Sequence, residues 1–134
     1  MSQSNLELVT QVYHAFGARD FSVIERLFDP DIEIKEAAQL PWGGTHVGHN
    51  GANTYFGTML AHIDANVVPQ SIFAAGDDVV MTGRGIGKTT GGEVAFDVPN
   101  IHVWHLRDGR VVGFDNYVDT PAMLAALNGA PHTN

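Results

Sequence analysis

Glu36 closes a run, Asp31-Ile-Glu-Ile-Lys-Glu36, in which apolar and charged residues alternate with period two. Such alternation marks a half-buried strand. Ile32, Ile34 and Glu36 then share one face, and Glu33 and Lys35 the other. With the isoleucines in a core, Glu36 is the carboxylate carried inward at the strand's end. Desolvation there raises a carboxyl pKa towards neutrality, as a general base working near pH 7 requires. A strand that stops short leaves Glu36 solvated, and the pattern alone keeps both placements open.

Three further side chains could act beside it. In the strand read over 93–107, His102, Trp104 and Leu106 form the bulkier of two alternating sets, so His102 projects inward between Asn100 and Trp104. An inward histidine can donate to a carbonyl oxygen or relay a proton; a core histidine satisfied by backbone is the plain alternative. In the strand over 110–119, Phe114, Asn116 and Val118 share a face, which makes Asn116 its inward polar group. Arg84 shares a face with Val80, Thr82 and Ile86. It either crosses the cavity to Glu36, lowering that pKa and cancelling its case as a base, or lies on a solvated face. His46, His49 and His62 lack the three or four converging ligands that zinc needs.

These groups must be held by elements the pattern predicts in order. Helices are read over 4–17, about 20–28 and 50–63. The first has Leu6, Val9, Val12, Tyr13 and Phe16 on one face and a Ser4/Glu7 capping box; Pro30 ends the second. Ala52, Tyr55, Phe56, Met59, Leu60 and Ile63 give the third a broad apolar stripe. Segment 37–49 has no period and reads as a loop carrying Leu40, Pro41 and Trp42. Strands follow over 67–75, 78–89, 93–107 and 110–119, with Asp108-Gly109 the strongest hairpin signal. Glycines 83, 85 and 87 imply a bent sheet. A short helix from Pro121 to Leu127 and a frayed tail end the chain. The predicted fold class is α+β: one curved antiparallel sheet with three helices from the N-terminal half on its concave face, enclosing a pocket. Tyr13, Phe16, Ile34, Trp42, Tyr55, Phe56, Met59, Arg84, Trp104 and Phe114 are the expected walls.

The 134 residues fit a single domain, with an ordered core at about 4–128. With no cysteine, thiol catalysis and disulfides are excluded. A net charge of −8, with no basic run, disfavours nucleic acid as a partner. No membrane span and no signal-peptide pattern is expected, so a cytoplasmic protein is. Val79, Met81, Val103 and Tyr117, read as the sheet's outer face, predict a homodimer.

Several segments together resemble SnoaL-like, ketosteroid-isomerase-related proteins of the nuclear transport factor 2-like superfamily. They are Tyr13-His-Ala-Phe16, Arg19 to Phe28, Gly44-Thr-His-Val-Gly48, His102-Val-Trp-His-Leu-Arg-Asp-Gly109 and Tyr117-Val-Asp119. The resemblance implies a cone-shaped α+β barrel, frequent homodimers, and pockets used by isomerases, cyclases, epoxide hydrolases, dehydratases and non-catalytic binders. It places the ketosteroid isomerases' general base at Glu36 and their oxyanion-binding acid at His102. Their tyrosine donor falls at Val12, leaving that donor missing or displaced. The polyketide cyclases' and epoxide hydrolases' working aspartate falls at Asn116. The epoxide hydrolases' arginine falls at Arg84 and their second aspartate at Ile86, so both acids are lost and that hydrolysis is disfavoured. The function expected is a cofactor-free isomerase, cyclase or lyase that removes a proton beside a carbonyl of a small apolar, polyketide- or steroid-like substrate, using Glu36, His102 and Asn116. The alternative is a non-catalytic small-ligand carrier.

Overall fold

The computed structural model describes residues 4–129 and the backbone of 132–133. The expected frayed tail lies largely outside the described residues. Helix α1 spans Asn5–Gly17, its first turn capped by Ser4, whose hydroxyl accepts the Glu7 N–H. Its buried stripe is Leu8, Val9, Val12 and Ala15, while Leu6, expected in the core, is exposed. Asp20 caps α2, Phe21–Leu27, by accepting from the Val23 N–H. Strand β1, Phe28–Glu36, follows directly, with Ile32, Ile34 and Glu36 turned inward and buried.

Segment 37–49 is more ordered than a loop. Leu40 and Gly43 donate backwards to the carbonyls of Ala37 and Leu40, closing two tight turns. A Cβ on Gly43 would stand 1.8 Å from the Ala37 carbonyl oxygen, so only glycine allows this return. The turns bury Leu40 and Trp42 against the core. Then β2, Gly44–Val47, pairs antiparallel with β1, an element the aperiodic sequence hid.

Helix α3, Gly48–His62, buries Ala52, Tyr55 and Phe56. Strands β3 (Ile63–Ala75), β4 (Asp78–Thr89), β5 (Ala95–Arg107) and β6 (Arg110–Val118) form an antiparallel meander. Asp108 and Gly109 both have positive φ, as a type I′ hairpin requires. Helix α4, Thr120–Leu127, is capped by Asp119 and carries Pro121 in its first turn.

The sheet order is β2-β1-β6-β5-β4-β3, with the short strand β7, His132–Thr133, beside β5. The sheet is curved and does not close, so it is an open cone rather than a barrel. Strand β1 docks parallel to β6, whereas the other pairings along that six-strand order are antiparallel. That docking sets Glu36 beside Asn116, and the β5–β6 hairpin sets Asn116 opposite His102. Three polar residues from distant parts of the chain thus form one row across three adjacent strands.

The face assignment of β4 needs correction. Val79 and Met81 are fully buried on the inner face with Gly83 and Gly85, not on an outer face that would meet water. Large side chains fill the narrow part of the cone, and the glycines leave room where β3 bends across β4; a Cβ on Gly83 would meet the Val68 oxygen at 2.4 Å. The outer face carries Val80, Thr82, Arg84 and Ile86, beside Val68, Phe73, Ile101, Val103 and Tyr117 of the neighbouring strands.

Candidate functional site

The row Glu36–Asn116–His102 borders a cavity of about 80 Å³ inside the cone. Tyr13 and Phe16 of α1, Phe56 and Met59 of α3, and Phe96 and Phe114 of the sheet supply much of its wall. Trp104 stacks on Phe114 at 4.1 Å between ring centres and meets Tyr13 edge-on, stiffening the narrow end.

Glu36 is 9% exposed. Its Oε1 accepts the Tyr55 hydroxyl at 2.6 Å, and that hydroxyl accepts from Asn116 Nδ2 at 3.1 Å. Burial pushes the Glu36 pKa up to about 7; Tyr55, Trp42 and Asn116 act against it by favouring the charged form. The Trp42 indole N–H lies near the carboxylate but closes no well-formed hydrogen bond. Burial and the adjacent carboxylate hold the Tyr55 hydroxyl far above its ordinary pKa, so it remains a donor.

The same desolvation acts on His102 with the opposite sign. Burial lowers its pKa to about 3, with Asn116 opposing, so the ring is neutral at pH 7. Nδ1 meets the Tyr13 hydroxyl at 2.7 Å, and that oxygen accepts the Trp104 indole N–H at 2.8 Å. Asn100 Nδ2 lies 3.2 Å from His102 Nε2. A titratable carboxylate and a neutral imidazole therefore sit on one wall. Their environments drive their pKa values apart, the pattern of an acid–base site.

Of the residues expected at the site, Glu36, His102, Asn116, Tyr13, Phe16, Trp42, Tyr55, Phe56, Met59, Trp104 and Phe114 border the cavity. Two do not. Ile34 points inward but is sealed in the core one step below the cavity. Arg84 lies on the outer face and is paired with Asp97 on β5, so it neither lines the cavity nor approaches Glu36. Period-two reading put Asn100 on the His102 face without giving it a role. Tyr55 is expected as a wall residue on an apolar stripe, and its donation to Glu36 is what the sequence does not show. The ring nitrogens of His46, His49 and His62 lie within hydrogen-bond reach of backbone carbonyls. Among the described residues no cluster of three His, Asp or Glu side chains is arranged to hold a metal, and no helix is long and apolar enough to cross a membrane.

Residues 9–114 match the SnoaL-like domain model, and the chain belongs to that family. No match was found among curated proteins. Solved structures share the fold at low identity. An NTF2-like protein of unknown function from Burkholderia pseudomallei superposes with a TM-score of 0.87 at 23% identity, over 95% of this chain and 100% of its own. A protein of Jannaschia, provisionally designated a SnoaL-like polyketide cyclase, gives 0.82 at 20%, over 98% and 99%. A protein of Catenulispora acidiphila with a ketosteroid isomerase-like fold, in complex with trimethylamine, gives 0.80 at 22%, over 96% of each chain.

The raised Glu36 pKa has a stability consequence of definite sign. Between its ordinary 4.5 and about 7 the folded chain binds more protons at this carboxyl than the unfolded chain. Its contribution is therefore complete below 4.5 and is lost as pH rises through 7. Glu36→Gln removes the charge, so at pH 8 the variant should be the more stable protein by roughly 3 kcal/mol. His102 works oppositely, losing stability as pH falls from 6.5 through 3, but is common to both proteins. Urea unfolding at pH 5 and pH 8 measures this. A difference that does not widen with pH would contradict the burial of a charged Glu36.

Proposed function

We propose that this SnoaL-like protein is a cofactor-free enzyme that removes a proton beside a carbonyl of a small apolar substrate of polyketide or steroid type. The observation that carries this reading is Glu36, buried at the end of β1 with a pKa near neutrality, held by Tyr55 at the border of an apolar cavity. Above pH 7 the carboxylate is increasingly ionised and poorly solvated, and so is a competent base. The electron pair released from the C–H bond moves to the carbonyl oxygen. That oxygen is stabilised by uncharged donors on the same wall, His102 and Asn116, and stabilising the developing charge usually lowers a barrier more than the proton transfer itself does. Return of the proton to another carbon completes an isomerisation; attack of the enolate carbon on a second carbonyl completes a cyclisation. The provisional cyclase designation of one fold relative agrees with this substrate class.

Proton abstraction can be followed without knowing the natural substrate. In D₂O, small cyclic ketones and 1,3-diketones should exchange their α-hydrogens faster with the protein, above a pH of about 7. Glu36→Gln should lower that rate by roughly 10²–10⁴-fold while leaving binding of the ketone nearly unchanged. Exchange that survives the substitution would rule out Glu36 as the base, and saturable binding with no exchange would identify a carrier.

We also propose that the outer sheet face is a homodimer interface. Val68, Phe73, Ile86, Ile101 and Tyr117 are 40–60% exposed there. They flank half-buried Val80 and Val103, an apolar surface wider than scattered single residues. Light scattering at micromolar concentration should give twice the chain mass, and Ile101→Glu should halve it. A wild-type monomer would overturn the assignment.

A further inference from the structure

The direction of each hydrogen bond around His102 can be worked out from one end. An indole N–H can only donate, so at Trp104 Nε1 the Tyr13 oxygen accepts. The Tyr13 proton is then free for His102 Nδ1, 2.7 Å away. In a neutral imidazole an acceptor Nδ1 leaves the proton on Nε2. The opposite tautomer creates two defects. The Tyr13 oxygen would accept twice with no recognised acceptor for its own proton, and Asn100 Oδ1 would stay buried without a partner. Placing the proton on Nε2 removes the first and gives Asn100 Oδ1 a donor, its Nδ2 then taking the position that Oδ1 now occupies. An amide is nearly symmetric in shape, and turned end for end Asn100 presents Oδ1 to the Nε2–H where Nδ2 now stands.

We propose that Trp104 and Tyr13 are positioning residues that lock His102 as the Nε2–H tautomer, turning a neutral N–H towards the Asn100–Asn116 side of the cavity. Both asparagines border that cavity, and Asn116 stands directly across from His102 in the β5–β6 register. An oxygen that takes the place of Asn100 Oδ1 on this N–H meets a fixed, uncharged donor rather than an imidazolium. A negative oxygen is thereby stabilised by a hydrogen bond without being handed a proton, so an enolate is retained as such until Glu36 returns the proton to carbon. This catalytic use rests on the proposed function; the tautomer does not.

Nitrogen-15 NMR of uniformly labelled full-length protein at pH 7 reads the tautomer directly. His102 Nδ1 should resonate as an unprotonated, pyridine-type nitrogen and Nε2 as a protonated, pyrrole-type one. In Tyr13→Phe, which removes the donor to Nδ1 but keeps the ring, the two shifts should move towards each other as the tautomers mix. A wild-type protein with the proton on Nδ1, or with both nitrogens protonated, overturns the proposal, as does an unchanged pair of shifts in Tyr13→Phe. The wild-type spectrum stands even if the variant fails to fold. Catalysis enters none of these readouts, so a failed tautomer assignment and a failed role for Glu36 are separately visible.

Discussion

Everything at the candidate site depends on the parallel docking of β1 against β6. The other pairings along the order from β2 to β3 are antiparallel and could be assembled from local hairpins. Strand β1 is delivered by two helices to the far edge of the last strand, and only its register decides which residue faces which. Because the side-chain period of a strand is two, a slip of one residue would turn Glu36 outward and bring Lys35 into the core. The bulk of Ile32 and Ile34 guards against that slip, since both are fully buried on the same face as Glu36. The apolar core thus indirectly places a carboxylate where water is scarce.

One environment then produces two opposite chemical results. Removing water penalises whichever form is charged, raising the Glu36 pKa to about 7 and lowering that of His102 to about 3. Hydrogen bonds moderate the first shift: Tyr55 stabilises the carboxylate, and Asn116 in turn orients Tyr55. Asn116 therefore does more than border the cavity, standing between the base and the imidazole in the same row. Holding an ionisable carboxyl here lowers stability above neutral pH, a cost expected where strain or desolvation serves function.

Much of this was legible in the sequence wherever short-range pattern decides structure. Alternation alone put Ile32, Ile34 and Glu36 on one face, and likewise Phe114 with Asn116 and His102 with Trp104. Capping by Ser4 and the Asp108-Gly109 turn were readable because they obey local chemistry. Pattern could not say which side of β4 is inward, because each face pairs apolar residues with positions that decide nothing, Thr82 and Arg84 on one and glycines on the other; Val79 and Met81 were therefore placed on the wrong side. Strand β2 escaped because four residues between glycines carry no period of their own. Arg84 could be paired only once the β4–β5 register was known, since that register sets Asp97 across from Ile86, next to Arg84. Tyr55 was one of six similar positions on the stripe read for the third helix until α3 was seated against β1.

The site stands or falls on Glu36 being a buried carboxyl that changes protonation near neutral pH. Infrared difference spectroscopy isolates it: the protonated carboxyl stretch of the wild type, with the Glu36→Gln spectrum subtracted, is followed from pH 4 to pH 9. A buried Glu36 should give a single carboxyl band that disappears with a midpoint near 7. A difference band already gone by pH 5 would show a solvated, ordinary glutamate and would contradict that placement.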